Sequence, residues 1–158
     1  MIELTGTLLG EPNFHRALSR LVAGTRDFTE VFEKFGEDFR DIEKERFDLA
    51  PWTPLSPAYA AWKELHYPGQ PILRLTNKLY EAMTRTQSVD NVSEIHSTYA
   101  LFGARGESGA KAYWHQIGAG NLPQRTVIEF TEENKRQFTH TFHVYMIRLG
   151  AESGFFLN

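Results

Sequence analysis

Large apolar side chains recur along residues 14–42 in steps of four and three: Phe14, Leu18, Leu21, Phe28, Phe32, Phe35, Phe39 and Ile42, with Thr25 filling the one gap. Residues three and four apart share a helix face, so this spacing reads as helix with a single heptad-like apolar seam. Gly24 beside Thr25 weakens the helix locally, which predicts a short helix followed by a longer one ending near Phe47. Nine acidic and five basic residues lie between Arg26 and Asp48, as expected of a solvated outer face. A Phe-rich seam of this length is more than one small sheet needs for cover. It serves either the chain's own core or a neighbouring subunit, and Phe28, Phe32, Phe35 and Phe39 are the contact candidates.

Further along, local chemistry punctuates the chain. The opening "IELTGTL" alternates Ile2, Leu4 and Leu8 and predicts a short strand. Residues 49–57, "LAPWTPLSP", carry three prolines and predict an extended connector anchored by Trp52 and Leu55. Ser56 then stands as N-cap to a helix opened by Pro57 and closed before Pro68-Gly69. A second short helix is expected from Thr76 or Asn77 through "NKLYEAMTR". Val92–Phe102 reads as one strand, "GARGESGAK" as a flexible tip and "AYWHQIG" as a single helical turn with Tyr113, Trp114 and Ile117 as core anchors. In that reading Gly118 and Gly120 are turn residues, and His115 with Gln116 hydrogen-bonds locally to fix the loop that launches a strand over Pro123–Phe130. The final stretch fits both periods. Its length, Thr131 as N-cap and Gly150 as stop favour a helix. The tail "ESGFFLN" offers Phe155, Phe156 and Leu157 either to the body or to a neighbour. The expected fold is α+β, a single domain over residues 1–158 in which N-terminal helices and a C-terminal helix pack on a small antiparallel sheet, with residues 151–158 a candidate C-terminal arm.

Motifs for chemistry are sparse. With no cysteine there is no disulfide framework and no thiolate metal site. Seventeen Lys and Arg against twenty Asp and Glu give a net charge of −3, which argues against a surface that wraps nucleic acid. His140 and His143 would share a helix face, but no carboxylate stands at a ligand spacing from them and His-Glu-x-x-His is absent. There is no Gly-x-Ser-x-Gly, and Gly103, Gly106 and Gly109 fit neither a phosphate loop nor a dinucleotide fingerprint. No catalytic residue, metal ligand or cofactor is therefore expected. The competing enzyme reading, a metal-assisted hydrolase, would centre on His115 or on His140 with His143. The opening "MIELTGTLLGEP" lacks the basic flank and apolar core of an export signal, and no run approaches the ~20 apolar residues of a membrane span.

Four short blocks stand in order: Trp52-Thr-Pro54-Leu55-Ser56, with Lys63 in the helix that follows; Leu73-Arg-Leu-Thr76-Asn77-Lys-Leu79; Tyr113-Trp114-His115-Gln116-Ile117-Gly118; and Pro123-Gln124-Arg125. In this order and spacing the chain resembles the phage virion morphogenesis, or tail-completion, family of Mu-like and related tailed phages, over roughly residues 14–149. That family shows a Trp-x-Pro-Leu-Ser block, a Leu-x-x-Thr-Gly-x-Leu block, a His-Gln-x-Gly block and a Pro-x-Arg block. Asn77 stands where the family tends to have Gly, and Trp114 where a small residue is common. Asn tolerates a left-handed backbone better than other non-Gly residues, so the first departure is mild. The resemblance implies a non-enzymatic virion protein, assembled in the host cytoplasm, that completes the tail at the tail–neck junction and enables joining to the head. It implies a homo-oligomeric ring, a hexamer by analogy, that meets tail-tube or neck proteins, with genomic DNA only passing through its channel and no membrane contact. A head-side connector is the neighbouring alternative. Acidic residues 26–48 facing the channel would let DNA slide past, and Arg125 would make either an ion pair between subunits or a hydrogen bond within the fold.

Overall fold

A computed structural model describes residues 11–155, so the expected strand over residues 2–8 and the tail residues Phe156 and Leu157 lie outside the described residues. The apolar seam does form two helices, α1 (Glu11–Gly24) and α2 (Thr29–Leu49). The break falls where Gly24 stands. Leu149 packs so close to Gly24 that a β-carbon there would overlap it, and the Asp27 carboxylate then accepts from Thr29 N (2.9 Å) to start α2. At its far end α2 runs two residues past Phe47. Ala50 precedes Pro51, which disfavours right-handed helix, and it turns left-handed at φ 45°.

Two helices follow the extended connector: α3 (Pro57–His66) and α4 (Lys78–Thr84). Ser56 caps α3 with Pro57 in its first turn, as the sequence predicts. Asn77 sits at φ 58° ahead of α4, in the left-handed conformation that Asn tolerates better than other non-Gly residues.

The single strand expected over Val92–Phe102 is instead an antiparallel hairpin, β1 (Asn91–Ile95) and β2 (Ala100–Ala104), in register Asn91↔Ala104 through Ile95↔Ala100. Its loop, residues 96–99, holds no Gly or Pro, and His96 stacks on Tyr99 with ring centroids 4.4 Å apart. Strand-favouring residues in the loop hide the reversal from a periodicity reading.

The expected glycine-rich tip gives its first two residues, Gly103 and Ala104, to β2, and from Gly106 on it forms one helix with the expected helical turn, α5 (Gly106–Ile117). Its first turn is held from a distance, because Asp90 Oδ2 accepts from Ser108 N (3.2 Å) and Ser108 Oγ (2.6 Å). Gly109 leaves room for the Ala104 carbonyl, which would lie 2.7 Å from a β-carbon there.

The last helix, α6 (Glu132–Ser153), opens on a reciprocal cap in which Asn134 N donates to Thr131 Oγ1 and Thr131 N donates to Asn134 Oδ1. It continues through Gly150, the expected stop, and ends where Gly154 turns left-handed at φ 75°.

The core gathers Phe39, Phe47, Trp52, Leu79, Met83 and Val127 from α2, the connector, α4 and the segment before α6. The hairpin packs on α2 and α4, where Phe39 stacks on Phe102 at 5.9 Å and Gly36 lets that ring approach. α6 lies along α1 and α2. Phe28 meets Phe142 (5.7 Å) and Tyr145 (6.0 Å), and Phe35 meets Phe138 edge-on (5.2 Å). Much of the seam is thus engaged within the chain. Phe39 is buried, and Phe28, Phe32 and Phe35 are half-buried. The class is α+β, as the sequence predicts. No helix among the described residues is long and apolar enough to cross a membrane.

Candidate functional site

The four motif blocks, spread over residues 52–125, meet around residues 121–130. Among the described residues no strand pairs with Pro123–Phe130, and the strand expected there is not formed. Side chains take the place of the missing ladder. Gln116 Oε1 accepts from Val127 N (2.8 Å) and Ile128 N (3.0 Å), while Gln116 Nε2 donates to the Ile128 carbonyl (3.0 Å). The Thr126 carbonyl accepts from Trp52 Nε1 (2.8 Å) and from Arg46 Nε and Nη2 (3.0 and 2.9 Å). A segment that carries buried Val127 into the core needs its polar backbone paired, and these groups pair it.

Arg125 locks the same knot from the other side. Its Nε donates to the Thr53 carbonyl (3.0 Å) and its Nη2 to the Pro54 carbonyl (3.3 Å), while its own N–H reaches the His115 carbonyl (2.8 Å). Of the two roles expected for Arg125, the structure displays the hydrogen bond within the fold. Gly118 ends α5 at φ 66°, with Gln124 N 3.1 Å from where a β-carbon would sit, so the turn back toward Pro123 needs glycine. His115 acts through its backbone carbonyl. Its ring Nδ1 is buried without a hydrogen-bond partner, and burial, then the Arg125 charge, holds the imidazole below its usual pKa and hence neutral at pH 7.

Beside the knot a groove of about 780 Å³ opens between α3, α4, α5 and residues 71–77 and 121–125. Pro54, Leu55, Tyr59, Leu79, Trp114 and Leu122 give it apolar walls. Lys63, Lys78, Lys111, His115 and Arg125 also line it, and no carboxylate does. Lys63 is buried, with Nζ donating to the Pro71 carbonyl, and burial lowers the pKa of both Lys63 and Arg125.

Among the motif residues, Trp52, Pro54, Leu55, Lys63, His115, Gln116, Gly118, Pro123 and Arg125 converge on the knot and groove. Tyr113, Trp114 and Ile117, expected as core anchors, are 60%, 50% and 51% exposed. α5 turns its buried side, Ser108, toward Asp90 and leaves these three outward. The seam residues lie elsewhere, Phe28 and Phe35 against α6 with Phe32 between them, and Phe155 meets Phe14 at 5.9 Å. Arg46, Lys78 and Lys111 were not singled out as site residues by the sequence. Arg46 carries a signal as the Arg46-Phe47 pair that closes the long helix, ahead of the four blocks in the motif order, whereas the two lysines are indistinguishable from ordinary solvated helix residues. His140 and His143 border a shallow depression with Lys135 and Arg136, and no cluster of three metal-ligating side chains occurs among the described residues.

No curated protein and no solved structure matches the chain. The family model described as "Phage virion morphogenesis family" matches residues 11–146, a span that holds every residue of the knot and the groove. The chain therefore belongs to the phage virion morphogenesis family, and its role is in the structure or assembly of a bacteriophage particle.

Proposed function

We propose that this protein completes the phage tail, as a non-enzymatic subunit of a homo-oligomeric ring that makes the tail competent to join the head. The observation that carries the reading is the outward-facing apolar surface of a chain in this family. Tyr59, Trp62 and Leu65 on α3 and Tyr113, Trp114 and Ile117 on α5 are all at least 42% exposed. Exposed aromatic surface on this scale is characteristic of a face that another protein covers. The polar atoms of the motif residues support a structural role, since Gln116, Trp52 and Arg125 direct them to backbone groups. The ring is taken to be a hexamer at the tail–neck junction, touching tail-tube or neck proteins and encircling the DNA path.

Negative-stain imaging of particles from a phage lacking the gene tests this. Overlong or unjoined tails beside filled heads are expected, with joining restored when the wild-type chain is supplied. Heads that leak DNA beside normal tails would move the ring to the head side of the neck. Mass spectrometry of purified virions should find the chain in the finished particle, and its absence there would make it an assembly factor instead.

A further inference from the structure

The groove holds more positive charge than its own surroundings answer. Lys63 and Arg125 are each 5% exposed, and their hydrogen bonds go to carbonyl oxygens, not to carboxylates. At its mouth Lys78 and Lys111 share one carboxylate, Glu107, at 3.4 and 2.7 Å. Buried charges are ordinarily paired. Four cations set against one carboxylate, beside the exposed aromatic wall of Tyr59 and Trp114, suit an occupant that brings carboxylates along an apolar contact.

The complementary pattern lies on the same chain. Glu33, Glu37, Asp41 and Glu45 stand four apart on α2, and all are exposed. Residues at that spacing form one ridge of the helix, here about 18 Å long at 1.5 Å per residue. Like charges four apart repel each other. Lys34 answers Glu37 at 3.1 Å, while Glu33, Asp41 and Glu45 have no ion pair among the described residues. Arg74 and Lys44 pair with Asp48 at the end of the helix, and Lys44 lies near Asp41 without pairing with it.

We propose that the acidic α2 ridge of one copy docks in the basic groove between α3, α4 and α5 of the next copy. The two patches differ, so the contact is head-to-tail, the kind that repeats in one direction and closes as a ring. This deepens the ring reading above and rests on it, by assigning the two faces that meet. The ridge is then an intersubunit surface and not the wall of the DNA channel. Opposed charges set the register, and the aromatic wall supplies the area that is buried.

Two charge-reversed chains test the contact: Lys78→Glu with Lys111→Glu in the groove, and Glu37→Lys with Asp41→Lys on the ridge. In sedimentation, each variant alone should assemble with affinity weaker by on the order of tenfold or more than wild type. An equimolar mixture of the two should return to the wild-type size, because each reversed groove then finds a reversed ridge and each native groove a native ridge. A misfolded variant could not be rescued in this way. Variants that each assemble like wild type, as a channel-facing ridge would allow, overturn the assignment and leave the ring reading intact, as does a mixture that stays dissociated. A wild-type chain that stays monomeric under the same conditions overturns the ring reading and the assignment with it.

Discussion

Replacing Gln116 with alanine would leave the N–H groups of Val127 and Ile128 and the Ile128 carbonyl without their partners. Part-buried groups deprived of hydrogen bonds cost about 1–3 kcal/mol each, so Gln116→Ala is expected to lose roughly 3 kcal/mol in denaturant unfolding. A loss under ~1 kcal/mol would mean that solvent replaces the side chain. Asn77 gives a second measure at this scale. Its φ of 58° is left-handed, and its Oδ1 accepts from Arg74 Nε (3.2 Å). Asn77→Ala should destabilise by about 1 kcal/mol, and Asn77→Gly by less, since glycine accepts that backbone without strain. Asn77 was legible in the sequence because the demand on it is local. Gln116 was half legible. Its neighbourhood pointed to a loop-fixing hydrogen bond, but the partners lie 11 and 12 residues on, in a segment whose β-favouring composition suggested a different structure.

At the scale of elements, the helices with their own caps could be read directly: Ser56 with Pro57, Thr131 with Asn134, and the seam that makes α1 and α2. The start of α5 could not, because its cap comes from Asp90, across the hairpin in the chain. The hairpin reversal was equally hidden, since residues 96–99 hold no Gly, Pro, Asn or Asp and only Ser97 hints at a turn. α2 also buries a carboxyl group that its pattern did not announce. Glu43 is fully buried and neither carboxyl oxygen has a hydrogen-bond partner. Burial raises its pKa from 4.5 to about 8, with Arg46 pulling the other way. The folded protein thus holds a proton that the unfolded chain releases above pH 4.5. This contribution to stability is fully present below the unfolded pKa and is lost as pH rises toward 8, at up to about 1.4 kcal/mol per pH unit. Unfolding free energies measured between pH 5 and 8 should fall with pH in the wild type. Glu43→Gln should flatten that slope, and an equal slope in both proteins would show that Glu43 is not its source.

For the whole molecule, charge and apolar surface are distributed unevenly. The net charge of −3 conceals a ridge of carboxylates on α2 and a groove lined by lysine, arginine and histidine. If opposed charges register the copies, raising salt from about 0.05 to 0.5 M should weaken assembly severalfold, as screening shortens the reach of exposed charges. Assembly insensitive to salt would assign the contact to the aromatic faces alone. The ridge follows from four-residue spacing within α2, whereas the groove depends on which helices the fold sets side by side and could not be read from the sequence. The hold on residues 121–130 has a further consequence, one for inheritance. A backbone ladder accepts almost any side chains, so a strand can drift in sequence while keeping its partners. Here Trp52, Arg46 and Gln116 are themselves the partners, and Arg125 ties the segment to the connector. A descendant that changes one must rebuild the hydrogen bonds of another stretch at the same step. Neutral drift should therefore erode the helix surfaces first, and leave a few short words of sequence by which distant relatives can still be traced.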